Sequence, residues 1–434
     1  MKEQLAILGG TPAIDTAAVP RSLTRWPIMT EEDEAAALEV IRANSFSGMA
    51  ITQQFEKEVC QWLGCNYAVA FCNGTMSLAA AMFAAGLGEG DEIICPTKTY
   101  WASIVHAVNL GANVVFCNVD ENLSIDPADL ERCITPRTKA IMVVHYLAYP
   151  ADMDAIMAIA KKHGLKVIED VSHAQGGLYK GKRLGTFGDV AAMSMMSSKS
   201  FAAGELGMLV TSDRRAYERA VAYGHYAQFN DSLLQECAEM KPYKFIPLSG
   251  MKGRANQLCS AIGRVQLKYY DARCVEVRKA MNCFYDLLEK IPGIRPIRVD
   301  ESTGSNMAGF YYPHVRYIPE ELHGLPVEVF CEAVRAEGVR SCYPGGNFCL
   351  HTHPFFKNPD PAIMGVIANR PYPDNSACAP SAELDCFCVP RIVQLDTDWI
   401  QRYAAAFRKV AENHEALLSL PASGENGRWF GQGG

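Results

Sequence analysis

Three short segments of the sequence carry polar side chains immediately after apolar stretches. The first is Asn73-Gly74-Thr75, which lies between a predicted strand and a predicted helix. Unpaired N–H groups and the positive end of the dipole make a helix N-terminus suited to binding an anion such as a phosphate. Gly74 lets the backbone approach such an anion closely, and Thr75 adds a hydroxyl donor. The alternative is an ordinary strand-to-helix turn in which Thr75 serves only as the cap.

The other two segments supply a carboxylate and an amine. Glu169-Asp170 lies near the end of the apolar stretch Lys166–Val171, and the carboxyl ends of parallel strands are where α/β sheets bind ligands. A helix-capping role for Asp170 is the alternative. Lys199 follows the apolar stretch Val190–Met196 and is flanked by serines. Because most lysines lie on solvated surfaces, position alone leaves a functional role for Lys199 open.

Taken together, these segments match the parts that a pyridoxal phosphate enzyme needs. A helix N-terminus holds the phosphate, a carboxylate pairs with the pyridinium nitrogen, and a lysine forms the Schiff base and later moves protons. Tyr100 follows the apolar stretch Glu92–Pro96 and offers an aromatic ring to cover the ring of the cofactor. The sequence therefore predicts a pyridoxal phosphate site.

Alternating strand and helix patterns must position these segments. The predicted strands are Tyr67–Cys72, Glu92–Pro96, Asn113–Val119, Lys139–His145, Lys166–Val171, Val190–Met196 and Met208–Ser212. The predicted helices are Glu31–Asn44 with Thr30 as its cap, Thr52–Trp62, Thr75–Gly86, Tyr100–Asn109, Pro127–Cys133 and Met153–His163. Short, uniformly apolar strands are typical of a sheet covered on both faces. The pattern predicts an α/β domain with a mainly parallel central sheet flanked by helices.

The pattern changes after Gly250. A long helix is predicted over Gln257–Leu288, followed by a strand at Tyr311–Ile318 and helices at Val327–Gly338 and Asp396–Leu418. These elements indicate a smaller α+β unit at the C-terminal end. We expect a large domain over residues 1–270 and a small C-terminal domain over residues 271–434.

Composition and charge exclude several classes of protein. The chain has 434 residues, of which 49% are hydrophobic, and its formal net charge is -7. This apolar content is too high for a disordered chain, and the acidic excess gives no basic surface for nucleic acid. No apolar run reaches the roughly 18 residues of a membrane helix, and the N-terminus lacks a secretory leader. We therefore expect a cytoplasmic protein that binds neither nucleic acid nor a membrane.

The sixteen cysteines and one histidine pair are poor candidates for metal binding. Only Phe387 separates Cys386 from Cys388, which is too short a spacing for the usual zinc or redox motif. Reduced thiols are expected in a chain without a secretory leader. His351 and His353 have no acidic residue at a useful spacing, so we expect them in a loop that reaches toward the site. No metal site is predicted.

The ordered set of motifs resembles a known family, the DegT/DnrJ/EryC1/StrS aminotransferases. This is the sugar and aminocyclitol branch of the fold-type I pyridoxal phosphate enzymes, and the resemblance runs from about Leu5 to Val389. The motifs that carry it are Ser47-Gly48, Phe55-Glu56, Asn73-Gly74-Thr75, Gly86–Pro96, Thr135–Ala140, Pro150–Asp154, Glu169-Asp170, His173-Ala174, Lys199 and Gly204-Glu205. Each motif is common, but their order is specific.

The resemblance implies roles for residues around the cofactor ring. Lys199 matches the Schiff-base lysine, which also carries the proton between carbon atoms. Asp170 matches the partner of the pyridinium nitrogen, and Tyr100 matches the ring that stacks on the cofactor. His173 occupies the position near the ring and its 3'-hydroxyl.

The resemblance also implies a phosphate site and a homodimer with a shared active site. Gly74, Thr75 and Ser194 match the residues that bind the phosphate. Lys252 falls where many relatives have an asparagine that reaches the phosphate of the neighbouring subunit. A solvated loop lysine is the alternative for Lys252.

The implied activity is amino-group transfer by a ping-pong mechanism, from glutamate or glutamine to a keto-sugar or cyclitol ketone. The N-terminal LGGTPA of residues 8–13 is similar to relatives that act on inososes or make aminohydroxybenzoate, which favours a cyclitol or polyol ketone. Two alternatives are a non-catalytic cofactor-binding regulator and a sugar dehydratase, although dehydratase relatives carry histidine in place of Lys199. Leu206 and Ala148 replace glycines that are common in the family. We expect these two differences to affect which substrate is accepted more than whether the cofactor binds.

Overall fold

Strands and helices alternate through most of the chain. The structure, a computed structural model, describes residues 3–364, 373, 375, 377–378 and 385–421. Its strands are β1 (Tyr67–Phe71), β2 (Glu92–Pro96), β3 (Asn113–Cys117), β4 (Thr138–Val144), β5 (Lys166–Asp170), β6 (Leu178–Tyr179), β7 (Lys182–Arg183), β8 (Val190–Ser194), β9 (Gly207–Thr211), β10 (Ile294–Pro296), β11 (His314–Tyr317) and β12 (Cys386–Cys388). Its α-helices are α1 (Arg21–Thr24), α2 (Glu31–Arg42), α3 (Ala50–Leu63), α4 (Gly74–Ala84), α5 (Val105–Asn109), α6 (Pro127–Leu130), α7 (Met153–His163), α8 (Arg214–Gly224), α9 (Gln257–Leu288), α10 (Val327–Ala336), α11 (Pro354–Lys357), α12 (Pro361–Met364) and α13 (Thr397–Glu412).

Seven strands form the central sheet in the order β1-β9-β8-β5-β4-β2-β3. Strand β9 pairs antiparallel with both β1 and β8, whereas β8, β5, β4, β2 and β3 pair in parallel. The predicted mainly parallel sheet is therefore confirmed. Because β1 also runs in the parallel direction, six carboxyl ends meet at one edge of the sheet. A second, antiparallel sheet has the order β10-β11-β12.

Helices cover both faces of the central sheet, as the uniformly apolar strands require. Every residue of β2 is buried, as are the last five residues of β4. Helix α4 is buried on nearly all sides and packs against β8, β9 and α8. Its run of alanines, Ala79 to Ala81, allows this close approach. The N-terminus of α4 therefore lies fixed at the carboxyl edge of the sheet.

The structure confirms most predicted elements, but the helices predicted over Pro127–Cys133 and Asp396–Leu418 end at Leu130 and Glu412 and are followed by 3-10 turns. Helices Met153–His163 and Gln257–Leu288 begin and end where predicted. The single helix predicted over Tyr100–Asn109 is wrong, because Ile104 has non-helical backbone angles and separates a 3-10 turn, Trp101–Ser103, from α5. The side chains of nearby Thr99 and Ser103 bond to each other, and such local bonds compete with helix formation.

Helix α9 runs without a break across residue 270, where a domain division is predicted. That division stays a prediction. All sixteen cysteines are free thiols. In the described ranges, no helix is both long and apolar enough to cross a membrane.

Candidate active site

A cavity of about 690 Å³ opens at the carboxyl edge of the central sheet. Seven of the eight residues predicted for the site line it: Gly74, Thr75, Tyr100, Asp170, His173, Ser194 and Lys199. These residues lie at or just after the carboxyl ends of four strands, β1, β2, β5 and β8, and the sheet topology brings them together. The eighth, Lys252, is an exposed residue outside the lining, with its Nζ 6.0 Å from the centre of the Tyr226 ring.

The N-terminus of α4 forms one wall of the cavity. Asn73 is its cap, since its Oδ1 accepts a hydrogen bond from the N–H of Met76 over 2.8 Å. The alternative in which Thr75 is the cap is therefore wrong, and Thr75 lines the cavity instead. A Cβ atom on Gly74 would lie 2.5 Å from Cβ of Ser194. Glycine is thus required where α4 packs against the end of β8.

Asp170 and Glu169 are neighbours at the end of β5, and only Asp170 lines the cavity. Successive side chains of a strand point to opposite faces. The Asp170 carboxylate is 4% exposed; its Oδ2 accepts from the Ser103 hydroxyl over 2.7 Å, and its Oδ1 accepts from the N–H of Ser172 over 3.0 Å. Both oxygens are therefore held in place while the carboxylate still reaches the cavity.

Glu169 fixes the loop between β7 and β8 on the other face. Its carboxylate accepts hydrogen bonds from the N–H groups of Gly185, Phe187 and Gly188 over 2.7–2.8 Å, and it lies 3.1 Å from Nε2 of His145. Burial by itself raises the pKa of Glu169, but the hydrogen bond and charge of His145 and the backbone N–H groups outweigh it, so the pKa lies below its usual value. The role of Glu169 is structural.

The loop that carries Lys199 connects β8 to β9 and is closed at its base. The N–H of Met195 donates to the carbonyl of Leu206 over 2.8 Å, and the N–H of Ala203 donates back to Met195 over 2.8 Å. Trp26 Nε1 donates to the carbonyl of Lys199 over 3.0 Å. The backbone of the lysine is therefore held from both sides.

The amine of Lys199 lies over the ring of Tyr311. Its Nζ lies 4.2 Å from the centre of the Tyr311 ring, within the range of a cation–π interaction. Only 7% of the lysine is exposed. Gln175 links the segment after β5 to the start of the loop that carries Lys199. Its Nε2 donates to the carbonyls of Ser172 and Ser194 over 3.0 and 2.6 Å.

His173 lines the cavity in its neutral form. Its Nδ1 accepts a hydrogen bond from the N–H of Leu147 over 3.3 Å, which assigns the hydrogen to Nε2. Burial, together with the nearby charge of Lys199, holds the pKa of His173 well below its usual value. The ring packs between Tyr146 and Tyr311, at centroid distances of 5.5 and 4.5 Å. His173 is therefore a neutral hydrogen-bond donor.

Tyr100 ends the loop that follows β2. Its ring lies 4.8 Å from that of Trp101, and burial raises the pKa of its hydroxyl. His351 belongs to a loop that contacts the same segment, because its Nδ1 lies 2.5 Å from Oγ1 of Thr97. This contact agrees with the predicted position of the His351 loop near the site.

Several cavity residues are not predicted from the sequence. Ser103, Trp26, Tyr311, Tyr312 and Arg391 all line the cavity. The last three come from the C-terminal part of the chain, more than 100 residues after Lys199. The aromatic pair before Pro313 and the isolated Arg391 after Pro390 are visible signals, but no local pattern indicates that they fold back onto this edge of the sheet.

A family model for the DegT/DnrJ/EryC1/StrS aminotransferases matches residues 27–369. The chain belongs to this family. The matched range contains all eight predicted site residues, namely the seven that line the cavity and Lys252. The family description names aminotransferases, so the resemblance found in the sequence is confirmed.

This chain is also similar to individual proteins that are named as aminotransferases. A Micromonospora echinospora protein named as an L-glutamine:3-amino-2,3-dideoxy-scyllo-inosose aminotransferase is 32% identical over 360 residues, which cover 81% of this chain and 82% of the relative. The X-ray structure of an aminotransferase from Psychrobacter cryohalolentis is 27% identical with a TM-score of 0.75, over 91% of this chain and 100% of that chain. The structure of 3-amino-5-hydroxybenzoic acid synthase has a TM-score of 0.76 at 24% identity, over 90% and 99% of the two chains, and supports the fold alone. The fold-type I arrangement is thereby confirmed.

Proposed function

We propose that this family member is a pyridoxal phosphate-dependent aminotransferase that transfers an amino group from glutamine or glutamate to the ketone of a sugar or cyclitol. The observation that carries the proposal is one cavity that contains the Lys199 amine, the Asp170 carboxylate and the N-terminus of α4. These are the three groups that such a cofactor needs, and each comes from a different strand end.

The residues of the cavity fit the cofactor in size and chemistry. The backbone of Gly74 and the side chains of Thr75 and Ser194 surround the N-terminus of α4, which favours an anion. No Cβ occupies the space beside Gly74, and one placed there would collide with Ser194. In the same lining, Asp170 is a buried acceptor with both oxygens already fixed. We infer that the phosphate lies at α4 and that the ring nitrogen lies at Asp170.

The chemistry divides between the cofactor and the chain. The cofactor supplies a ring that withdraws electrons from the carbon beside the amino nitrogen. Lys199 would hold the cofactor, and its Nζ would carry a proton when the amine is free. Asp170 would keep a proton on the ring nitrogen, and Tyr100 would cover the ring face. His173, as a neutral donor, would offer its Nε2–H to the ring oxygen.

The acceptor class follows from the relatives and the N-terminal sequence. Proteins named as aminotransferases of an aminodideoxy-scyllo-inosose, with L-glutamine as donor, are 31–32% identical to this chain. The LGGTPA motif at residues 8–13 favours the same class of acceptor. We therefore propose glutamine or glutamate as the donor and a cyclitol ketone or related keto-sugar as the acceptor.

We further propose a cytoplasmic homodimer in which Lys252 reaches the phosphate site of the partner. The segment around Lys252 is rich in exposed apolar side chains: Tyr243, Phe245 and Ile246 are 60%, 62% and 69% exposed. Exposed apolar clusters of this kind mark interaction surfaces. The N–H of Cys72 donates to the carbonyl of Gly253 over 2.7 Å, so this surface adjoins the loop before α4.

Trapping of the cofactor tests the proposal. Reduction of the holoenzyme with borohydride, followed by peptide mapping, should place the label on Lys199. The Lys199→Ala variant should lose both the visible absorbance band and turnover, whereas Lys180→Ala, at an exposed lysine paired with Asp154, should keep both. A label on another lysine, or turnover by Lys199→Ala, would contradict the assignment.

Subunit mixing tests the shared site. A mixture of Lys199→Ala and Lys252→Ala subunits forms heterodimers in which one site regains both lysines only if Lys252 acts on the partner. Activity should then recover to about a quarter of the wild-type value, because half of the dimers are mixed and each has one intact site. No recovery after subunit exchange would show that the two lysines act in the same chain.

A further inference from the structure

Two histidines meet at the surface, far along the chain from Lys199. His323 follows the 3-10 turn Pro319–Leu322, and His414 begins the 3-10 turn after α13. Nε2 of His414 lies 3.3 Å from Nδ1 of His323. One nitrogen of each ring and a carboxylate oxygen of Glu415 all lie within 4.8 Å of one another. The histidines are 91 residues apart in sequence, so no local spacing indicates this cluster.

A hydrogen bond fixes the tautomer of His414. Its Nδ1 lies 2.7 Å from the carbonyl oxygen of Ala411. Because a carbonyl oxygen only accepts, Nδ1 carries the hydrogen and Nε2 presents its lone pair toward His323. Histidines that bind a metal through one ring nitrogen usually donate from the other nitrogen in this way. His414 is therefore already arranged as a metal ligand.

The separation of the two nitrogens suits a tetrahedral ion. Zinc binds a histidine nitrogen at about 2.05 Å. Two nitrogens 3.3 Å apart can both lie at that distance from one ion, with an angle of about 107° between them. This angle is close to the tetrahedral one. Rotation of the exposed Glu415 side chain brings a carboxylate oxygen to the third position, and water completes a ligand set that zinc uses in proteins.

A hydrogen bond between the two rings is the alternative reason for their contact. At 3.3 Å it is longer than the usual range of about 2.7–3.2 Å. His323 is exposed and His414 is half-buried, so water competes for the same nitrogen atoms. Such a bond contributes little to stability, and it gives no role to the nearby carboxylate of Glu415.

Both segments are anchored in the core beneath the cluster. Leu322, next to His323, and Leu417, three residues after His414, are both 0% exposed and belong to the same apolar cluster. The two histidine side chains therefore start from fixed backbone positions. This arrangement reduces the ordering cost of binding an ion between them.

The charges near the cluster favour a cation. No lysine or arginine lies within four residues of either histidine in the sequence. Four glutamates lie within that range: Glu320, Glu321, Glu412 and Glu415. A local excess of one sign of charge attracts ions of the other sign.

A second group of possible ligands in the described part of the chain is less suited to an ion. It consists of Cys117, Asp129 and Cys133. Arg132 already binds both oxygens of Asp129, from Nε over 2.5 Å and from Nη2 over 2.8 Å, and the N–H of Asn118 donates to one of them over 2.9 Å. Both thiols are also buried. The histidine cluster has neither obstacle.

We propose that His323, His414 and Glu415 bind one zinc ion, which joins the segment after β11 to the segment after α13. None of the three residues lines the cavity that contains Lys199. The ion therefore stabilises the C-terminal part of the chain and takes no part in amino-group transfer.

Zinc titration of the holoenzyme tests the site. After dialysis against a chelator, the wild type should bind one zinc ion that His323→Ala and His414→Ala bind at least about 100-fold more weakly, since loss of even an outer partner of a ligand costs roughly 10- to 100-fold. Glu415→Gln, which removes the charge and keeps an oxygen, should weaken binding about 10-fold. The matched control is His163→Ala, at a surface histidine 3.7 Å from Glu131, which should bind zinc as the wild type does.

Cobalt(II) in place of zinc identifies the ligands. Nitrogen and oxygen ligands give weak visible bands, whereas thiolates add a strong band in the near ultraviolet. The difference between the cobalt-loaded wild type and cobalt-loaded His414→Ala should contain the visible bands and lack the thiolate band. This result separates the histidine cluster from Cys117 and Cys133.

Thermal unfolding measures the stabilisation. Zinc at about a hundredfold excess over its Kd should raise the melting temperature of the wild type and of His163→Ala by roughly 2–5 °C, and should leave that of His414→Ala unchanged. Without zinc the three proteins should melt together, because substitutions of surface residues change stability little. Their kcat/KM values should also be equal, since the cluster lies outside the cavity.

Three outcomes would overturn the proposal. The first is equal zinc binding by the wild type and both histidine variants, and the second is a thiolate band in the cobalt difference spectrum. The third is a zinc-dependent rise in molar mass by light scattering, which would show that the ion joins two chains instead of two segments of one.

Discussion

The hydroxyl of Ser103 donates a 2.7 Å hydrogen bond to Oδ2 of Asp170. Ser103 lies on the 3-10 turn after β2, and Asp170 ends β5, two strands away in the sheet. The bond therefore joins the segment that carries Tyr100 to the carboxylate proposed for the ring nitrogen.

Removal of this hydroxyl should lower catalysis without unfolding the protein. In Ser103→Ala, Asp170 loses a charge-assisted bond worth about 1.5–3 kcal/mol, so we expect kcat/KM to fall roughly 10-fold. Asp170→Asn, which removes the charge itself, should lose at least about 100-fold. Steady-state kinetics with matched melting curves measure both effects. Wild-type activity in Ser103→Ala would mean that the Ser172 N–H alone fixes the carboxylate.

Glu169 should govern stability and its dependence on pH. Because the folded-state pKa of Glu169 lies below the ordinary value of 4.5, its contribution is present above about pH 4.5 and is lost as the pH falls through the folded-state pKa. Glu169→Gln should cost about 2–4 kcal/mol at neutral pH. The difference from the wild type should shrink in acid. Urea unfolding at several pH values checks this; a difference that does not change with pH would contradict it.

The close contact of Gly74 with Ser194 predicts a sensitive position. In Gly74→Ala, the new methyl group forces α4 away from the end of β8, which should cost about 1–3 kcal/mol and weaken cofactor retention. Gly88→Ala is the control, since a Cβ there comes no nearer than 3.9 Å to its neighbours. Equilibrium dialysis of the cofactor and melting curves should separate the two variants. Equal behaviour would mean that the α4 wall does not hold the phosphate.

We expect Tyr311 to contribute to catalysis through the contact between its ring face and the Lys199 amine. Tyr311→Phe keeps the ring 4.2 Å from the amine of Lys199 and should retain activity. Tyr311→Leu loses a cation–π contact of roughly 0.5–2 kcal/mol and should lower kcat about 3- to 30-fold. Kinetics of the two variants decide between ring and hydroxyl; a larger loss in Tyr311→Phe would assign the role to the hydroxyl.

Much of the fold is predictable because its signals are local. Short apolar strands such as Glu92–Pro96 and a helix such as Met153–His163 are defined by their own side-chain pattern and end residues. The site residues at strand ends follow from the topology of a parallel sheet. The sequence alone therefore predicts Lys199 and Asp170 at one edge of the sheet.

The remaining parts of the site depend on contacts distant in sequence. Arg391 and Tyr311 lie after the long helix α9, and only the packing of the second sheet brings them to the cavity. Ser103 falls within a predicted helix, whereas its bond to Asp170 is formed only in the folded chain. Patterns of local sequence contain no information about such partners.

The closed base of the loop between β8 and β9 fixes how far the amine can travel. With Met195 tied to Leu206 and the carbonyl of Lys199 tied to Trp26, only the methylene groups of the side chain are left to span the distance to a bound molecule. The reach of the Lys199 amine is therefore set by the length of its side chain, because hydrogen bonds hold its backbone in place. A one-carbon shortening of that side chain would leave the nitrogen intact and still put it out of reach.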